Sequence, residues 1–205
     1  MATAFDRDQL LEAFDEIGRA AIAAQTRLEI AVFGGSALML ASNFRFSTED
    51  VDIAEIGRPW PEWLAAVVER IGARNGWPAD WLNEAVAFHL SKLANPARDL
   101  VLLGTFPRAS EQVGLVVFVP TARYMLALKL KALRVADFDK GSTDLADTAA
   151  LLRVLAVKDV EAAIGILAEF FPISAAHADK QRFVLKRLLS AESPADAPRY
   201  PRSSL

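Results

Sequence analysis

The chain has no cysteine among its 205 residues, which removes disulfides, thiolate zinc sites and cysteine nucleophiles together. Histidine is nearly as scarce. His89 and His177 stand alone, without the spacing partner that metal binding or a nucleophile–base pair needs. No apolar run approaches the twenty residues of a membrane span, and the start lacks a secretory pattern. A basic excess is also missing: 23 Lys and Arg stand against 26 Asp and Glu, a net charge of −3. Phosphate neutralisation supplies most of the affinity for long nucleic acid, so such a substrate would have to be held locally. These absences lead to the expectation of a soluble, cytoplasmic protein with no membrane partner.

What is present is a hydrophobic fraction of 53%, enough for a sizeable core without staples. Apolar residues at Leu10, Leu11, Phe14, Ile17, Ala20, Ala21 and Ala24 keep a helical period over 6–26, with Asp6 as its cap. Residues 29–33 are short, apolar and partly β-branched, which predicts a buried strand ending at Gly34-Gly35. A helix over 36–41, a polar loop over 42–49 and a second strand over 50–54 follow. The pattern then predicts a helix over 59–75 closed by Asn75-Gly76, a short helix over 81–88, and strands over 100–103 and 114–119. From 121 onward the periodicity is helical, in segments 121–136, 142–155, 158–169 and 174–189. The tail from 191 is polar and proline-rich and is expected to be disordered or loosely attached. Strands interleaved with helices, then helices only, indicate an α+β or α/β module followed by a helical region, and the fold class expected is α+β. The expected division is a core with a small mixed sheet over 1–120, a helical region over 121–190 that completes a cleft, and the tail 191–205.

The strongest chemical signal is Phe33-Gly34-Gly35-Ser36, then residues 37–49, then Asp50-Val51-Asp52-Ile53. Glycines at a strand-to-helix turn let backbone approach a phosphate with no Cβ in the way. The helix N-terminus behind them offers unpaired N–H groups to an anion, with the Ser36 hydroxyl as an extra donor. Asp50 and Asp52 alternate along a strand and so share one face, roughly 7 Å apart. Two such carboxylates can hold Mg²⁺ against triphosphate oxygens. Taken singly, a Gly-Gly-Ser turn is commonly only a turn, and Asp-x-Asp a solvated strand face or a cap. In this order and spacing they resemble the defining motif of the DNA-polymerase-β nucleotidyltransferase superfamily.

A second block, Tyr124 to Arg134 with Lys129 and Lys131 inside it, is followed by Asp144-Leu145-Ala146-Asp147. It resembles the helical half of bacterial nucleotidyltransferase-like proteins of the abortive-infection and toxin–antitoxin type. Trp81-Leu82-Asn83 resembles an element of their small relatives. The resemblance covers 28–152 and implies a nucleotidyltransferase core with helices packed on it. It implies that Lys129, Gly35 and Ser36 contact a nucleoside triphosphate, and that Asp50 and Asp52 ligate Mg²⁺ or Mn²⁺. Asp144 and Asp147 would line the site from the helical side, Asp144 aiding catalysis. Arg45 stands one position off the commonest place for a phosphate-contacting arginine. The activity implied is transfer of a nucleoside monophosphate to a tRNA or protein hydroxyl, with a cognate antitoxin or toxin protein as a further partner. The alternative is a non-catalytic nucleotide-binding or partner-binding module on the same fold.

Structural readings stand beside these. Lys129 and Lys131 also fit a helix surface, and Asp144 and Asp147, one turn apart near a helix start, also suit the helix dipole. Trp60, Trp63, Trp77 and Trp81 read as packing anchors, and Arg182, Lys186 and Arg187 as a solvated helix face. Members of the superfamily usually take a third carboxylate from a later strand, but residues 114–119 contain no acid. Asp99, Asp144 and Glu111, in that order, are the expected substitutes.

Overall fold

A computed structural model describes residues 4–48, 50–55, 60–133, 138–190 and 197–201. The end of the expected helix over 121–136, and residues 191–196 and 202–205 of the tail, lie outside the described residues. The first helix, α1 (Arg7–Ala23), begins where the sequence places it. The Asp6 side chain accepts from the Gln9 backbone N–H, and the Gln9 side chain accepts in turn from the Asp6 N–H. Then come strand β2 (Leu28–Val32), α2 (Gly34–Ala41), β4 (Val51–Glu55) and α3 (Glu62–Asn75). Gly76 caps α3 in the left-handed region, at φ 69°, where a glycine carries no Cβ penalty. Two short pieces, β1 (Phe5–Asp6) and β3 (Ser47–Thr48), pair as a separate antiparallel ribbon, so the loop over 42–49 is partly ordered by pairing.

The main sheet is mixed, in the order β5-β4-β2-β7-β6, with β5 (Leu82–Asn83), β6 (Leu100–Phe106) and β7 (Leu115–Pro120). β2 runs parallel to β7 and antiparallel to β4, while β6 is antiparallel to β7. β7 reads as a continuous apolar run, and β2 does so apart from Glu29, which pairs with Arg27, because both strands are covered on both faces. β6 is an edge strand with an irregularity between Leu102 and Gly104, and its Leu102 is exposed.

One expectation holds only in part. Residues 81–88 begin with β5, and the short helix starts later, as the 3₁₀ helix Ala85–His89. The Val51 N–H donates to the Trp81 carbonyl at 2.6 Å, and Leu82 and Asn83 register with Val51 and Asp52. At Leu82 and Asn83, pairing with an open strand edge outweighs the local helical pattern. Trp81 is fully buried, donates its indole N–H to the Val68 carbonyl, and packs edge-on against Trp77.

After β7 all described elements are helices: α5 (Ala122–Ala132), α6 (Phe138–Val154), α7 (Val160–Phe170), α8 (Pro172–Ala176) and α9 (Asp179–Ser190). α4 (Pro96–Asp99) is a single turn before β6. The chain is therefore α+β with one mixed sheet. A continuous apolar core runs from α1 through the sheet into α5, α7 and α9. Tyr124 joins the two parts, edge-on to Phe33 and stacked on Phe170 at 4.7 Å. Residues 197–201 do not behave as a loose tail: Tyr200 is buried and its hydroxyl donates to the Pro120 carbonyl at 2.6 Å. Among the described residues no helix is long and apolar enough to cross a membrane.

Candidate nucleotide and metal site

The topology brings three strand ends to one edge of the sheet, the edge formed by strand ends rather than by a flanking strand. β2 ends there at Val32, its antiparallel neighbour β4 begins there beyond Asp50, and β7 ends there at Pro120. A cleft of about 940 Å³ opens at this edge between the sheet and α5. Gly34, Gly35, Arg45, Asp50, Asp52, Lys129 and Asp144 all line it. Residues far apart in sequence are therefore gathered at one cleft.

The sheet-side wall has unbalanced charge. The Asp52 carboxylate makes no hydrogen bond among the described residues, although its backbone carbonyl accepts from the Phe33 N–H at 2.8 Å, and the carboxyl is pushed above the usual carboxylate range. Burial is the main cause and the Asp50 charge the second, with Lys129 and His89 opposing them. Asp50 is exposed, with the Thr48 hydroxyl near its carboxylate, at 3.5 Å. Gly34 sits at φ 63°, and a Cβ there would lie 2.8 Å from an Asp52 oxygen. Glycine is needed at this position both for its backbone angle and for room beside the carboxylate.

The helix-side wall is balanced. The Lys129 ammonium donates to Asp144 and to Asp147, each at 2.8 Å. Arg45 donates to the same Asp147 oxygen at 3.2 Å and, through Nε, to the Ser47 carbonyl. Asp147 is 2% exposed and is not among the lining residues; it sits behind the cleft and holds both cations at its rim. Lys129, whose side chain is 11% exposed, is thus no surface lysine. Lys131 also lines the cleft but is engaged away from the carboxylates. Its ammonium donates to the His89 carbonyl and lies 4.4 Å from the centre of the Phe171 ring. That contact ties the 3₁₀ turn, which forms an outer wall of the cleft, to the helices.

Three further expectations resolve differently. Ser36 is buried and its hydroxyl donates back to the Phe33 carbonyl at 3.1 Å, so it is not presented to the cleft as a donor. This local bond satisfies a hydroxyl that burial would otherwise leave unpaired. Asp99 is buried under Arg98, which donates to it at 2.7 and 2.8 Å and holds its carboxyl below the usual range. It lies at the same sheet edge but on β6's side, separated from β4 by β2 and β7, and lines a separate pocket with Arg123 and Glu169. Glu111 is in the β6–β7 connection, at the opposite end of the sheet. Of the proposed substitutes only Asp144 shares the cleft with Asp50 and Asp52. Among the described residues no group of three or more His, Cys, Asp or Glu side chains is gathered as a metal site.

The residues present still suit one divalent cation. Two carboxylates of alternating strand positions face one cleft, and the half-buried one has no hydrogen-bond partner among the described residues. The glycine beside it leaves room next to the oxygen. Mg²⁺ takes one or two protein carboxylates and fills its other positions from water or phosphate. His89, which lines the cleft close enough to influence Asp52, was not singled out by spacing because its neighbours there are distant in sequence. Compared with protein-family models and with curated proteins, the chain matches none.

Proposed function

We propose that the cleft binds a nucleoside triphosphate with Mg²⁺, or Mn²⁺, and transfers its nucleoside monophosphate to an acceptor hydroxyl. The chain would then carry a nucleotidyltransferase core of the DNA-polymerase-β type. The observation that carries this reading is the convergence of Gly34-Gly35, Asp50, Asp52, Arg45, Lys129 and Asp144 on one cleft. In this reading Asp50 and Asp52 hold the cation, which when bound offsets phosphate charge during in-line displacement. Gly34-Gly35 let the phosphates approach the N-terminus of α2, and Arg45 and Lys129 meet their outer oxygens. The apolar lining from Val86, Met125, Leu128 and Ala132 suits the base and sugar. The acceptor oxygen bonds to the α-phosphorus, the bond to the bridging oxygen breaks, and pyrophosphate departs with that electron pair. In this reading Asp144, on the far wall, would take the acceptor's proton once Lys129 turns from it to the phosphates. An RNA or protein acceptor, and a place in a defence or toxin–antitoxin system, rest on the sequence resemblance alone.

One observation favours a second reading, a nucleotide-binding module without transfer. Strand β7 carries no acid and Asp99 is committed to Arg98 outside the cleft. Incubation with each α-labelled NTP, Mg²⁺ and total RNA or protein separates the two. Label transferred to an acceptor, and lost in Asp52→Asn, supports the enzyme. Mg²⁺-dependent binding without transfer supports the module, and no nucleotide binding defeats both.

A further inference from the structure

The C-terminal segment 197–201 crosses back over the molecule at a place that bears on the cleft. Asn43 lies in the loop after α2, two residues before Arg45, and both polar atoms of its side chain are engaged by that segment. Its Nδ2 donates to the Ala197 carbonyl at 3.2 Å, and its Oδ1 accepts from the Arg199 N–H at 2.7 Å. One residue further along, Tyr200 is 6% exposed and its hydroxyl donates to Pro120. Pro120 ends β7, and Thr121 immediately after it caps α5, the helix that carries Lys129. Five residues of chain therefore join the loop that bears Arg45 to the root of the helix that bears Lys129.

The loop needs such an anchor. Phe46 is 72% exposed, and among the described residues the only regular pairing in the loop is the two-residue ribbon of β3 with β1. Within it the Phe44 N–H is held by the Ser42 hydroxyl, and Arg45 reaches Asp147 across 102 residues of sequence. Ser42 and Thr48 are buried and Phe44 packs against the core, so it is the exposed middle of the loop, Phe46 and Ser47, that opens at low cost unless something fastens it. A long side chain such as arginine also loses rotamer freedom when fixed, so a fixed backbone beneath it lessens what binding must overcome.

We propose that Asn43 is a positioning residue, and that residues 197–201 form a strap through which it holds the Arg45 loop in the shape that presents Arg45 to the cleft. The affinity part of this rests on the nucleotide reading given above; the anchoring part does not. Asn43→Ala removes both bonds to the strap. Asn43→Asp keeps the acceptor for Arg199 and loses the donor to Ala197.

Hydrogen exchange on the full-length chain tests the anchoring. Amides of residues 42–48 are expected to exchange about tenfold faster in Asn43→Ala and by a smaller factor in Asn43→Asp, in line with loss of about one net hydrogen bond. Unchanged exchange over that loop overturns the strap. Calorimetric titration with Mg²⁺ and inorganic tripolyphosphate, which needs no base identity, tests the positioning. Asn43→Ala should weaken binding about five- to tenfold in the wild-type background and leave it unchanged in the Arg45→Ala background, since the two act through one contact. Equal losses in both backgrounds would mean that Asn43 acts on stability alone. If the wild type binds no tripolyphosphate while the exchange result stands, the nucleotide reading fails and the strap does not.

Discussion

The two walls of the cleft treat charge in opposite ways. On the helix side Lys129, Arg45, Asp144 and Asp147 satisfy one another at 2.8 to 3.2 Å, with Asp147 and Lys129 largely buried. On the sheet side Asp50 and Asp52 face the same space with no cationic side chain bonded to either among the described residues, and burial makes ionised Asp52 unfavourable. Buried ion pairs need their partners, and removing one leaves an uncompensated charge. Unpaired carboxylates that repel across a cleft are the opposite case: they hold unfavourable energy that a bound cation relieves. One wall is built to persist, the other to receive.

The largest effect should come from breaking the closed wall. Lys129→Ala leaves Asp144 without its cation and Asp147 with Arg45 alone, and should cost about 3 kcal/mol in denaturant unfolding. A cost under about 1 kcal/mol would show that the network is not buried in solution. Next comes Gly34→Ala, which forces a Cβ into the left-handed region and toward Asp52. About 1–2 kcal/mol of destabilisation is expected, with Mg²⁺-dependent nucleotide binding impaired. Unimpaired binding would detach Gly34 from the site.

Smaller effects sharpen the contrast. Asp99→Asn removes the bonds from Arg98, whose side chain is 67% exposed, so the loss should stay within about 1 kcal/mol. Because Asp99 titrates below its ordinary value, that loss should be present near neutral pH and vanish as pH falls through the Asp99 titration. Nucleotide binding should not change; a loss comparable to that of Asp52→Asn would restore Asp99 as the third carboxylate. The smallest change in stability is the opposite sign. Asp52 titrates above its ordinary value, so its protonated form favours the fold and its ionised form opposes it. Asp52→Asn should therefore unfold at the same or a slightly higher denaturant concentration near neutral pH, with the gain disappearing in acid. A clear destabilisation at neutral pH would mean that Asp52 has a partner in solution.

Much of this was legible in the order of residues. The Gly-Gly turn between a strand and a helix, the alternating aspartates, and a lysine about eighty residues on all reached one cleft, because each signal is local and topology only had to bring three segments together. Asp6 as a cap and Gly76 as a helix end are local in the same way. What escaped needed long-range knowledge. A helical pattern at 81–88 gave way in its first residues to pairing with β4, whose open edge no local window contains. Ser36 resembled a phosphate donor, yet burial turned its hydroxyl onto the carbonyl three residues back. Asp99 stands at the correct sheet edge but in the turn before the wrong strand, and strand order is not written in periodicity. The polar, proline-rich composition after 190 concealed Tyr200, a single buried ring that fastens five residues.

The central claim is that the open wall takes a cation together with a nucleotide. It is tested most directly by thermal unfolding of the wild type and Asp52→Asn with each of the four NTPs, with and without Mg²⁺. The account predicts that at least one NTP raises the wild-type midpoint only when Mg²⁺ is present, by several degrees at saturating ligand, and that Asp52→Asn loses this response. An equal Mg²⁺-dependent rise in the variant, or no rise with any NTP in the wild type, would contradict it.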